Sequence, residues 1–98
     1  MPIDIHLKNN KNTPLFSITD ELYDSLTSAI EALEKKTGIF IDLYGDTRLT
    51  HQHAALLLQM ISDEIVTKKL IPTRAVTDFT GFLQKLVREQ TDVELIGD

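Results

Sequence analysis

Apolar side chains recur along this chain with two different periods, and the switches between them mark out its elements. From Pro2 to Leu7 they alternate with polar ones, Ile3, Ile5 and Leu7 against Asp4 and His6. A two-residue period predicts a short half-buried strand, with His6 on its exposed face. Lys8 to Pro14 is dense in Asn, Lys and Thr and reads as a loop. Leu15, Phe16 and Ile18 then bring apolar groups to the entrance of a helix. Leu22, Tyr23, Leu26, Ala29, Ile30 and Leu33 follow at helical spacing, which predicts a helix from Asp20 to Lys36. Thr19 is placed to cap it, Asp20 and Glu21 favour the positive end of its dipole, and Lys35 and Lys36 favour the negative end. Gly38 can take the left-handed conformation that ends it.

Thr50 can cap a second helix from His51 to Lys69. Its apolar positions, Ala54, Leu57, Leu58, Met60, Ile61, Ile65 and Val66, cover more than one narrow stripe, as in a helix packed on two sides. Pro72 closes this region, because the residue before a proline resists helical geometry. A third helix, capped by Thr73, spans Arg74 to Gln90 and buries Val76, Phe79, Leu83, Leu86 and Val87, with Phe82 on the margin. Gly81 weakens that helix by about 1 kcal/mol relative to alanine, so it either admits another backbone or is simply tolerated. Val93 to Ile96 can form a short strand beside the N-terminal one. The expected fold is mainly α: a three-helix bundle with short N- and C-terminal strands, in a single domain over 1–98.

Composition narrows this picture. A chain of 98 residues buries about 60–65% of its unfolded surface, enough for one modest core. A hydrophobic content of 42% and 26% charged residues are globular values. Cysteine is absent, so neither disulfides nor thiolate metal sites hold the fold. Fifteen acids against ten bases leave a net charge of -5, which opposes approach to nucleic-acid phosphates and suits a basic partner. Met1-Pro2-Ile3-Asp4 lacks the features of a signal peptide. The apolar run from Ala54 to Leu58 is too short to cross a membrane. The expectation is a cytoplasmic protein with no membrane contact.

Between the first two helices lies the most distinctive segment, Ile39 to Leu49. It begins apolar and turns into hydrogen-bonding and charged groups around one glycine. Ile39 and Ile41 are expected on the core side, leaving Asp42 to bond nearby amides. Gly45 permits a sharp turn with positive φ, and Asp46 and Thr47 can satisfy the backbone around it. Arg48 presents a planar donor fork. It can either clamp the loop through Asp42 or grip a partner.

The string Ile41-Asp42-Leu43-Tyr44-Gly45-Asp46-Thr47-Arg48-Leu49, with Gln52 after it, resembles a segment of small bacterial proteins in which an Ile-Asp-Pro-Tyr-Gly-Asp-Thr-like loop precedes a helix. Those proteins resemble immunity proteins of polymorphic or contact-dependent toxin systems, and Leu43 stands where their pattern often has proline. The resemblance implies a cytosolic protein that binds and neutralises one cognate toxin.

Other chemistries have weaker support. His51 and His53 point about 200° apart on a helix, so they share a metal ion only in a non-helical lead-in, with Asp42 or Asp46 as third ligand. Ser17, Ser25, Ser28 and Ser62 lie in no nucleophile elbow. Asp42 and Asp46 could act as paired carboxylates, but turn stabilisation explains both. The second and third helices faintly resemble a helix-turn-helix, with Lys68, Lys69, Arg74, Lys85 and Arg88 offset by Asp63, Glu64, Asp78 and Glu89. The first helix is acidic, carrying Asp20, Glu21, Asp24, Glu31 and Glu34 before any base.

The expected function is therefore a non-catalytic binding protein, an immunity protein that occludes the active site of a basic toxin domain. No cofactor, metal or catalytic residue is expected. Asp42, Tyr44, Asp46, Thr47 and Arg48 are the contact candidates, with Asp20, Glu21 and Asp24 as a second patch. A small regulatory adaptor for a housekeeping protein is the alternative, and a small enzyme or metal protein a further one.

Overall fold

A computed structural model describes residues 3–7, 13–42 and 44–97. The 8–12 part of the expected loop, Pro2 and Leu43 lie outside them. The described elements are β1 (Ile3–Leu7), β2 (Phe16–Ile18), α1 (Asp20–Thr37), β3 (Asp46–Leu49), α2 (His51–Val66), α3 (Arg74–Glu89) and β4 (Val93–Ile96). The strands form one antiparallel sheet in the order β2-β1-β4-β3. The chain is therefore an α/β protein of three helices on a four-stranded sheet, and the mainly α expectation is corrected.

The two unforeseen strands explain the correction. Phe16–Ile18 pairs with Ile3–Ile5 instead of only leading into a helix. Asp46–Leu49 pairs with β4 and makes the polar segment an edge strand. β2 is only three residues long, and β3 is polar apart from one buried side chain, Leu49, worth roughly 2 kcal/mol. The terminal strands do pair, from Asp4 opposite Ile96 to Leu7 opposite Val93.

One face of the sheet carries Ile3, Ile5, Ile18, Leu49, Val93 and Leu95 into a core shared with all three helices. Phe16 lies at ring-centroid distances of 5.6 Å from Phe79 and 5.0 Å from Phe82, fixing α3 against the β1–β2 end. The helix caps follow the sequence. The Thr19, Thr50 and Thr73 hydroxyls accept from the Leu22, His53 and Val76 amides, and Gly38 takes φ +82 after α1. α2 packs on α1, α3 and β3, in keeping with its broad apolar surface.

α2 stops three residues before the expected Lys69. Lys68 adopts φ 64, and the Lys69 and Leu70 amides both donate to the Glu64 carbonyl. The left-handed residue costs roughly 1–2 kcal/mol. Turning there places Leu70 in the core at 3% exposure, a gain of about 2 kcal/mol that offsets it. Among the described residues no helix is long and apolar enough to cross a membrane.

Candidate functional site

The segment joining α1 to β3 is held at four points. Beyond Gly38, the Ile39 amide donates to the Thr37 hydroxyl. Ile41 is buried and Ile39 half-buried, as the apolar start of the segment requires. The Ile41 carbonyl accepts the Tyr23 hydroxyl at 2.7 Å. The Tyr44 amide donates to Asp42 Oδ1 at 3.0 Å, an Asx turn that fixes the bend. The Thr47 hydroxyl donates to the Phe40 carbonyl at 3.2 Å and closes the loop from its far end.

Gly45 serves this turn by a different route from the one expected. The positive φ belongs to Gly38. At Gly45 an added Cβ would stand 3.2 Å from Asp42 Oδ2, so a side chain would crowd the carboxylate that holds the bend. With its backbone so fastened, the loop leaves Tyr44 73% exposed and Phe40 42% exposed.

The expected contact residues divide between two surfaces. Burial raises the pKa of the Tyr23 phenol, and the negative charges of Asp42, Asp24 and Glu31 raise it further. The bond from Tyr23 of α1 to the Ile41 carbonyl, next to Asp42, fastens the polar loop to the acidic first helix. Asp20 and Glu21 lie exposed in the first turn of the same helix. Asp24 and Glu31 also line an open depression of about 490 Å³, bounded across from α1 by Lys69, Leu70, Ile71 and Thr73. Ile71 is 75% exposed at its rim.

Asp46 and Arg48 belong elsewhere. Strand alternation puts them on the face of the sheet away from the helices, opposite Ile96 and Glu94 respectively. Asp42 bonds the Tyr44 amide while Arg48 projects from that outer face, so the two do not clamp the loop. Thr47 faces inward and fastens the Phe40 carbonyl. His6 also lies on the outer face, opposite Glu94. It is only 6% exposed, against the exposed position expected. Its Nδ1 has no hydrogen-bond partner among the described residues.

One pairing had no signal in the sequence. His51 Nδ1 lies 3.0 Å from Asp92 Oδ1, which also accepts the His51 backbone amide at 3.0 Å. The His51 side-chain bond, followed by the backbone bond, holds the Asp92 carboxyl below its ordinary range. Forty-one positions separate the partners in sequence, so only the β4–α2 junction reveals them. His53 turns instead to Thr50 and completes a capping box. Among the described residues no three His, Asp or Glu side chains converge on a metal-sized site. An Asp-oriented imidazole is half of a general-base unit. Among the described residues no serine or threonine hydroxyl bonds His51 to complete one.

No protein-family model matches the chain, and comparison with curated proteins and with solved structures likewise gives no match.

Proposed function

We propose that this protein is a non-catalytic binding protein, and that it acts in the bacterial cytoplasm as an immunity protein occluding a basic toxin domain. The observation that carries this is the fastening of the polar loop, with its exposed Tyr44 held to Asp42, onto the acidic first helix through Tyr23 and the Ile41 carbonyl. Such a surface combines an aromatic anchor with the charge that draws a basic partner. Tyrosine is enriched at binding hot spots, and complementary charge speeds encounter. The depression rimmed by Ile71 adds a recess for a partner side chain. Truncating an acid that becomes fully desolvated at such an interface costs roughly 2–5 kcal/mol.

The test is co-purification from the host with the tagged chain as bait. A toxin-like basic domain recovered at equal stoichiometry, and lost with Tyr44→Ala and Asp24→Asn, supports the proposal. A housekeeping protein held by the same residues establishes an adaptor instead. A partner retained by both variants refutes this surface.

A further inference from the structure

β3 is an edge strand, and its backbone register shows which groups its free edge presents. The Gly97 amide donates to the Gly45 carbonyl at 3.0 Å, so the Gly45–Gly97 pair directs its polar groups into the ladder. Antiparallel ladders alternate, so Thr47 and Leu49 also face β4 while Asp46 and Arg48 turn their N–H and C=O groups outward. Unpaired edges of this kind are templates for a further strand, and edge charges ordinarily keep foreign strands away.

The charges on this edge match their own two-fold image. A second copy can pair antiparallel only by setting outward residues against outward residues. Pairing Asp46 with Asp46, or Arg48 with Arg48, opposes like charges at the axis. Centring the pair on Thr47 sets Asp46 opposite Arg48 of the second copy and Arg48 opposite its Asp46. Both backbone hydrogen bonds then form in each of those pairs, and each guanidinium meets a carboxylate on the outer face. Arg48 would lie between Glu94 of its own chain and Asp46 of the other. The Thr47 hydroxyl at the centre of this register is itself held by the Phe40 carbonyl.

We propose that two copies of this chain associate through β3 in this register, as an isologous dimer with one continuous sheet. The dimer rests on the sheet edge, not on the acidic surface around Tyr23. Failure of one therefore leaves the other standing.

Sedimentation velocity over micromolar to millimolar concentrations tests it with a charge-exchange pair. The native chain is expected to shift reversibly from 11.1 kDa toward twice that mass. D46R and R48D, each self-repelling, are expected to dimerise about tenfold less tightly or worse. Their equimolar mixture is expected to restore the dimer, since each pair across the seam then sets an arginine of one variant against an aspartate of the other. Hydrogen exchange on the native chain gives a second readout: the Asp46 and Arg48 amides should slow as concentration rises. A native chain that stays monomeric, single variants that dimerise as well as the native chain, or a mixture that stays monomeric would each overturn the proposal.

Discussion

The Tyr23 hydroxyl donates to the Ile41 carbonyl across 2.7 Å, and this one bond ties the polar loop to the first helix. Tyr23 is 9% exposed, so the bond is shielded and its loss leaves a carbonyl without its partner. The same phenol senses the acids on both sides of the joint.

Tyr23→Phe is expected to destabilise the fold by about 1 kcal/mol, a fall in Tm of about 4–8 °C for a domain of this size. Thermal melting checks it. Tyr44→Ala removes a larger group from an exposed position and should change stability by about 0.5 kcal/mol or less. It should nevertheless abolish partner capture.

Tyr23 also sets an alkaline limit. Its folded pKa lies above the ordinary phenol value of 10.0, so folding favours the neutral form. This contribution is complete below that value and is lost as pH rises through the elevated pKa. Ultraviolet titration should show one tyrosine ionising late in the native protein, and earlier in Asp42→Asn, where one of the opposing charges is gone.

Asp92 sets the acid side with the opposite sign. Its pKa is lowered in the fold, chiefly by the His51 side chain, so its contribution is present above the ordinary value of 3.8. That contribution disappears as pH falls through the depressed value. Melting temperatures measured from pH 5 downward should fall less steeply for Asp92→Asn than for the native chain.

Two glycines in helical settings should respond oppositely to alanine. Gly81 has open space where a Cβ would stand, so it is simply tolerated within α3. Gly81→Ala should stabilise by about 0.5–1 kcal/mol. Gly38 has equal space but φ +82, and Gly38→Ala should destabilise by about 1 kcal/mol. Chemical denaturation of both variants distinguishes space from backbone conformation as the cause.

Local signals in the sequence carried the helices and missed half the sheet. Thr19, Thr50 and Thr73 each precede a periodic apolar run, so side-chain chemistry alone locates the three starts. β2 and β3 have no such signature: β2 is three residues long, and β3 is polar apart from its one buried side chain, Leu49. Their strand character comes from Ile3–Ile5 and Val93–Ile96, remote in sequence. The loop was legible as a polar cluster, and the Asp42 turn follows from its composition. The division that sends Asp42 to the α1 surface and Arg48 to the outer sheet face depends on strand register. The His51–Asp92 pair depends on tertiary approach, which no local pattern encodes.

The most direct test of the acidic surface places a photo-crosslinking phenylalanine analogue at position 44 in the full chain, inside the host cell. A matched chain carries it at Gln84, on the exposed side of α3. The account predicts one dominant adduct with a basic protein from position 44, weakened by Asp24→Asn, and none from position 84. An adduct of equal strength from position 84, or no adduct from position 44 with the partner present, would contradict it.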